Sequence, residues 1–347
     1  MVFEGGLIGC GFFAQNHLNA WRDLAARDPG ARIAAVCDQD PAKAQAAAER
    51  FQIPRWYRDA EEMLDRERLD FVDIVTTMGS HRALAELAAR HRVPMIVQKP
   101  FAPTWEDCIA IVRAAEAAGV PLMVHENFRF QTPMQRAHAI LAAGEIGEPV
   151  WARLTFRSGY DVYANQPYFL TERELIVLDL GIHLLDLARF FLGEVERIGC
   201  ELQQVRPGLL GEDMATMLLR HASGAVSVVD TTYESRQLPD PFPQTLLHIE
   251  GRQGCLRVFQ GFEMQVDHAD GTSRREHAGS PLLSWTSEPW HVAQESVLNT
   301  QAHWVECLAT GRTPATSGRD NLRTYALVRA AYDAARSHRA EVPAVAP

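Results

Sequence analysis

No two cysteines in this chain are spaced as Cys-x-x-Cys, although six (10, 37, 108, 200, 255 and 307) are scattered through its 347 residues. In a chain of this length such scatter predicts reduced, mostly buried thiols and a cytoplasmic setting rather than a disulfide framework. No run of 18 apolar residues occurs, so no membrane-spanning helix is predicted. Met1-Val2-Phe3-Glu4-Gly5-Gly6 has neither the basic region nor the long apolar stretch of a signal peptide. Basic charge is also in deficit, with 34 Lys and Arg against 44 Asp and Glu and a net charge of −10. Binders of a phosphate backbone are normally basic, so no nucleic-acid partner is expected. The 13 histidines include no HxxxH, HExxH or close His/Cys cluster, and no G-x-S-x-G occurs. Neither a bound metal nor a serine nucleophile is therefore expected. Internal repeats and low-complexity tracts are lacking too.

What is present is an ordinary globular composition, 47% hydrophobic and 22% charged. At about 150 residues per domain, the length suggests two domains. The first third alternates apolar runs (Phe3 to Ile8, Ile33 to Cys37, Phe71 to Val75, Met95 to Val97, Leu122 to Val124) with helical periodicity. Helices are predicted over Gln15 to Ala26, Pro41 to Phe51, and Thr104 to Ala118, the last with Thr104 as cap and Gly119 as stop. Strands alternating with helices predict a doubly wound parallel sheet covered on both faces.

After Asn127 the pattern changes. Helices are predicted over Pro133 to Ala143 and about Leu178 to Leu192. Between and beyond them strand-like runs follow one another: Val150 to Phe156, Glu196 to Val205, Ala215 to Leu219, Ala225 to Tyr233, Gln244 to Glu250, Cys255 to Phe259 and Glu263 to Val266. Consecutive strands without intervening helices predict a large, mainly antiparallel open sheet. Two helices, about His291 to Ala309 and Arg319 to Ser337, close the chain. The expected domains are residues 1–125 and an α+β domain over residues 126–347.

Gly9-x-Gly11-x-x-Ala14 stands between the first apolar run and a helix. Gly9 permits a tight turn, Gly11 allows close approach of a pyrophosphate, and small Ala14 lets helix and strand pack. The phosphates would rest on the free N–H groups and positive dipole end of that helix, beside Phe12 and Phe13. Asp38 ends the second apolar run, where a carboxylate can accept from both hydroxyls of an adenosine ribose. It lies 27 residues beyond Gly11, a longer interval than the ~20 usual for this motif. Asp38 has two readings, ribose ligand or turn residue in Cys-Asp-Gln-Asp-Pro. As ribose ligand it favours NAD over NADP, because a 2′-phosphate would meet Asp38 and Asp40 with no arginine directly after them.

Val97-Gln98-Lys99-Pro100 follows a strand at the carboxyl edge where α/β sheets place their ligands. Lys99 is thereby either aimed into a crevice or part of a surface turn. In a helix, Asp179 and His183 lie i, i+4 on one face, setting a carboxylate beside an imidazole amid leucines. The pair suits proton transfer near neutral pH. It also suits a satisfied core histidine with a surface aspartate.

Taken together, the strand-GxGxxA-helix start, Cys37-Asp38, Lys99-Pro100 and Asp179-x-x-x-His183 resemble the Gfo/Idh/MocA oxidoreductases. So do Val75-Thr76-Thr77 with His81 beyond, Asn127-Phe128-Arg129-Phe130, and Gly311-Arg312-x-Pro314-x-x-Ser317-Gly318. The resemblance implies NAD as cofactor, a Rossmann domain, and an open sheet whose face commonly makes the interface of a homo-dimer or homo-tetramer. It also implies catalytic roles for Lys99, Asp179 and His183. Cofactor contacts on the nicotinamide side would come from Thr76, Thr77, Gln98 and Asn127, with His81 close by. Two departures stand out: Gln98 replaces the usual glutamate, and the Gly-Gly pair common before the DxxxH helix is absent.

His125 to Gln131, Ser158-Gly159-Tyr160-Asp161, Ser284-Trp285 and Pro289-Trp290-His291 resemble the branch that oxidises aldoses such as D-apiose. That branch implies a sugar substrate and a lactone product. A ring-alcohol dehydrogenase of the inositol type, giving a ketone, is the alternative within the enzyme class, and an NAD-sensing module without turnover the alternative outside it. Candidate substrate contacts are Lys99, Arg129, Tyr160, Asp161, Gln166, Tyr168, Asp179, His183 and His291. Each has a plainer role open to it; Arg129 would simply pair with a carboxylate, and Tyr168 would pack on the surface.

Overall fold

The computed structural model describes residues 2–164 and 166–345. The chain divides into two compact units, Met1–Asn127 with Gln294–Leu322, and Phe128–Ala293 with Arg323–Val345. The division thus departs from a single cut at 125 by returning Gln294–Leu322 to the first unit. Its packing explains why: Trp304 is fully buried with its ring edge-on to Phe71, centroids 6.5 Å apart. Val124 also donates its N–H to the Thr316 carbonyl at 2.8 Å, and the Thr316 hydroxyl donates back to the Val124 carbonyl at 2.7 Å.

The first unit runs β1 (Val2–Ile8), α1 (Ala14–Leu24), β2 (Gly30–Cys37), α2 (Pro41–Phe51), β3 (Arg55–Tyr57), α3 (Ala60–Arg66), β4 (Phe71–Ile74), α4 (His81–Arg90), β5 (Met95–Gln98), α5 (Trp105–Ala118) and β6 (Leu122–His125). Its six strands pair in parallel in the order β3-β2-β1-β4-β5-β6. β4, β5 and β6 are buried along their whole length, as strands covered on both faces must be. The strand order reverses between β1 and β4, and in such sheets ligands bind at the carboxyl ends beside that reversal. Local signals set the helix ends. Asp40 accepts from the Ala42 N–H ahead of Pro41, while Thr104 caps α5 and Gly119 closes it in the left-handed conformation.

The second unit begins with α6 (Thr132–Ala142) and β7 (Pro149–Arg157), then reaches α7 (Ile182–Leu192). β8 (Val195–Gln203), β9 (Met214–His221), β10 (Val226–Thr232), β11 (Leu246–Gly251), β12 (Gly254–Val258), β13 (Glu263–His268) and β14 (Ser273–His277) follow. They form an eight-stranded sheet, β14-β13-β12-β11-β7-β10-β9-β8, antiparallel except where β7 meets β10. Alternating burial along β9 gives the sheet one apolar face, on which α7 packs. α8 (His291–Thr310) and α9 (Gly318–Ser337) each contribute residues to both units. No helix of the described residues is long and apolar enough to cross a membrane.

Instead of one continuous helix from Leu178, a π-helical turn, Val177–Gly181, precedes α7. Such turns are rare and concentrate at functional sites. Asp179 lies in the π turn and His183 in the first α turn.

Candidate active site

In the first unit the candidate residues stand where the parallel strands end: Gly9 after β1, Asp38 after β2, Thr76 and Thr77 after β4, Lys99 after β5 and Asn127 after β6. Gly9 has φ +98°, and a Cβ there would lie 2.6 Å from the Val75 carbonyl, so both backbone conformation and space demand glycine. Gly11 is different. A Cβ on it would meet nothing within 4 Å, so its bareness serves no protein contact and leaves room for a ligand. α1 then starts without a side-chain cap and without an acidic residue in its first turn, leaving its positive end to an anion. Phe13 stands at that start, and Phe12 beside it is 79% exposed.

Asp38 is more than a turn residue. One carboxylate oxygen accepts from the Cys10 N–H at 2.8 Å and the other from the Asp40 N–H at 2.9 Å, which ties the glycine loop to the end of β2. Each oxygen keeps a second lone pair for a ribose hydroxyl. The bare Gly11, the uncapped helix and this carboxylate all fit a dinucleotide.

Gln98 is buried and held at both ends: Oε1 accepts the Lys99 N–H at 2.7 Å, and Nε2 lies 3.1 Å from His17 Nε2. Lys99 itself is half-buried. The Thr76 hydroxyl accepts from Ser80 at 2.7 Å, Thr77 is exposed, and Asn127 donates from Nδ2 to the Ser296 hydroxyl at 2.6 Å. His81, expected near the cofactor, lies inside the fold. It is fully buried, with Nδ1 3.0 Å from the Phe101 carbonyl and Nε2 3.1 Å from the Thr76 carbonyl. Each ring nitrogen lies against a backbone carbonyl, so His81 braces the ends of β4 and β5. Burial pushes its pKa down, against the opposing pull of the carbonyls.

In the second unit, His183 is nearly buried and lies flat against Phe128, ring centroids 3.8 Å apart and planes 4° from parallel. Asp179 is met by Tyr233, whose hydroxyl donates to Oδ2 at 3.4 Å. Burial first and the Asp179 charge second push the Tyr233 phenol far above its ordinary pKa, so it stays a donor. Sequence reasoning passed over Tyr233; its one signal was an aromatic hydroxyl at the end of a strand-like run. It passed over Glu212 as well, whose Oε1 accepts the N–H groups of Leu175 (3.0 Å) and Val177 (3.4 Å) and the hydroxyl of Tyr332 (2.6 Å). The π turn bearing Asp179 is thus mounted on a buried carboxylate.

Arg129 has the plainer role that the sequence left open to it, pairing with a carboxylate. It is buried in a two-pronged pair with Asp186, at 2.7 and 2.5 Å, and its guanidinium lies over the Phe190 ring. Thr324 completes the pair by donating to Asp186 at 3.0 Å. Tyr168 is 55% exposed and donates to Gln166 Oε1 at 2.7 Å. Tyr160 stacks on Phe242 at 4.0 Å with Trp290 edge-on at 5.4 Å, while Asp161 faces Arg206 at 3.6 Å. His291 is buried edge-on to Phe262, and its Nδ1 has no partner among the described residues.

Residues 3–126 match the family model described as "Oxidoreductase family, NAD-binding Rossmann fold", and residues 134–257 match "GFO/IDH/MocA C-terminal domain". The chain belongs to the Gfo/Idh/MocA oxidoreductases. It is 51% identical to D-apiose dehydrogenase of Paraburkholderia graminis, over 99% of this chain and 92% of that one. With D-apiose dehydrogenase of Rhizobium rhizogenes it shares 50% identity over 97% and 96%. Among solved structures, an oxidoreductase from Agrobacterium radiobacter in complex with NAD+, L-tartaric acid and magnesium superposes with a TM-score of 0.95 at 49% identity, covering 98% of each chain. As a member of this family the protein is an oxidoreductase with NAD as its cofactor.

Proposed function

We propose that the protein oxidises an aldose, a pentose of the D-apiose kind, at its anomeric carbon to the lactone. The observation that carries this reading is the 51% identity to a D-apiose dehydrogenase across 99% of the chain. The pyrophosphate is held by Gly9, Gly11, Phe12, Phe13 and Ala14 and the adenosine ribose by Asp38, with Thr76, Thr77, Gln98 and Asn127 toward the nicotinamide. When bound, NAD supplies the hydride acceptor, so loss of hydride from the carbon and of a proton from its oxygen leaves a carbonyl.

The chain's part is to hold the sugar and manage that proton. His183 takes the hydroxyl proton as general base, its ring plane set by Phe128. Lys99, as ammonium, donates to the same oxygen and stabilises the negative charge that grows on it. Asp179, fixed by Tyr233, orients the imidazole or accepts from a neighbouring sugar hydroxyl. Tyr160, Asp161, Gln166, Tyr168 and His291 are the proposed contacts to the rest of the sugar. The outward face of the eight-stranded sheet, with Leu218 57% exposed, is the proposed contact in a homo-dimer or homo-tetramer.

The test is formation of NADH, followed at 340 nm, with D-apiose, other pentoses, hexoses and inositols, and with the product identified by NMR. D-apiose giving a lactone or its hydrolysed acid supports the proposal. Oxidation only of a ring alcohol to a ketone replaces it.

A further inference from the structure

Behind Gln98 and Lys99, the first unit buries two polar side chains that the proposed reaction does not use. His17 on α1 and Asp73 on β4 are both inaccessible to solvent. His17 Nδ1 is 2.8 Å from Asp73 Oδ2, and Trp21 Nε1 donates to the same oxygen at 2.7 Å. On its other side, His17 Nε2 meets Gln98 Nε2 at 3.1 Å, while Gln98 Oε1 accepts the Lys99 N–H.

The direction of every bond follows from the two ends. A backbone N–H requires an acceptor, so the oxygen of the Gln98 amide faces Lys99 and its NH2 faces His17. His17 must then offer a lone pair at Nε2 and carry its proton on Nδ1, donated to Asp73. Exchanging either end would set two donors or two lone pairs against each other.

From this geometry we infer that Asp73 and His17 are positioning residues for Lys99, acting through Gln98. The inference rests on the proposal that Lys99 touches the reacting oxygen. Apolar residues would fill this volume without the cost of burying polar groups. What they would not do is orient a planar amide whose side chain otherwise turns about three bonds. With its flip fixed, Gln98 pins the peptide from which Lys99 projects. α1 begins at the glycine loop, so one helix borders the cofactor cradle at its first turn and steadies Lys99 from its second.

The experiment is a double-mutant cycle of His17→Leu and Gln98→Leu, with His17→Gln to restore an acceptor and Lys99→Met as reference. We expect His17→Leu to lower kcat by about tenfold to a hundredfold, the loss typical of a catalytic group misplaced by ~1 Å. KM and the Kd for NADH should move less than about threefold at a temperature where the variant is folded, while the melting temperature should fall because the buried Asp73 carboxylate loses a partner. His17→Gln should recover most of the rate. The double variant should be no slower than the worse single one, because both substitutions cut the same chain.

Multiplicative losses in the cycle, or unchanged kcat in His17→Leu while Lys99→Met is inactive, would overturn the inference and leave the proposed reaction standing. Normal turnover by Lys99→Met would instead overturn the reaction itself. Should His17→Leu not fold, Gln98→Leu against His17→Gln decides the matter. Loss of kcat in the first with its Kd for NADH unchanged, and retention of kcat in the second, supports the relay, and the reverse sinks it.

Discussion

The starts of α1 and of the π turn that leads into α7 are finished in opposite ways. At α1 no side chain caps the helix, no carboxylate lies in the first turn, and Gly11 is bare on a side where nothing approaches. At the π turn the first donors are served from within: Glu212 takes the Leu175 and Val177 N–H groups, and the Tyr332 hydroxyl accepts the Leu178 N–H at 3.3 Å. Open donors mark a place kept for an anion. Satisfied donors mark a mount, and what matters there is the side chain it carries, here Asp179 and, one turn on, His183.

The largest effects are expected at the side chains proposed to be catalytic. His183→Ala and Lys99→Met should each lower kcat by about 10²–10⁴, the usual worth of a general base or a fixed charge partner, with NADH binding retained in a fluorescence titration. Near-normal turnover in either would detach the mount at α7 from the chemistry.

Arg129→Ala should cost stability, up to about 3–5 kcal/mol, since it strips the buried Asp186 carboxylate of its two-pronged partner and leaves it the Thr324 hydroxyl and, at 3.9 Å, Arg189. Denaturant unfolding checks this, and Arg129→Met with Asp186→Leu should regain much of the loss. A variant with unchanged stability but raised sugar KM would return Arg129 to the substrate.

Two glycines next split the α1 side. Gly9→Ala should destabilise the fold, because φ +98° and the Val75 carbonyl leave no room for a Cβ. Gly11→Ala should keep the melting temperature while weakening NADH binding about tenfold or more, roughly 1.4 kcal/mol. Equal effects of the two would mean that Gly11 serves the loop and not the phosphates.

The smallest effect concerns the mount and depends on pH. Burial holds the Glu212 carboxyl above the ordinary carboxylate pKa, so the folded chain binds that proton more tightly than the unfolded one. Its contribution to stability is therefore fullest below the unfolded pKa and is lost as pH rises through the higher folded value. Glu212→Gln keeps the acceptor at Oε1 and removes the titration. It should match the parent in acid and become relatively more stable toward neutral pH, as read by thermal melts across that range. A gap that closes on raising the pH would reverse the sign of this argument.

Much of the fold is legible because its signals are local. The helix over Pro41–Phe51 and the Thr104 and Gly119 ends of α5 follow from residues adjacent in sequence. β3 escapes notice at three residues, and β14, Ser273–His277, because an edge strand made of Ser, Arg, Arg, Glu and His carries no apolar alternation. The π turn escapes because its bonding depends on Glu212 and Tyr332, far away in sequence. His17 was within reach: it lies four residues before Trp21, on the face that α1 buries. Lys99 carried a further unread signal. The chain holds 32 arginines and only two lysines, Lys43 and Lys99. A sequence that meets nearly every need for positive charge with guanidinium keeps an ammonium at the end of β5, where a compact, strongly hydrated donor suits a growing oxyanion.

The α1 cradle and the Lys99 and His183 side chains are proposed to serve one hydride transfer from a sugar. A single-turnover experiment with enzyme in excess over NAD, D-apiose added and absorbance at 340 nm followed tests it most directly. One equivalent of NADH is expected from the unaltered protein and almost none, on the same timescale, from a Lys99→Met variant that still binds NADH. A protein that binds NADH yet forms none with D-apiose or any other sugar or polyol offered would contradict it, as would a Lys99→Met variant that keeps pace with the parent.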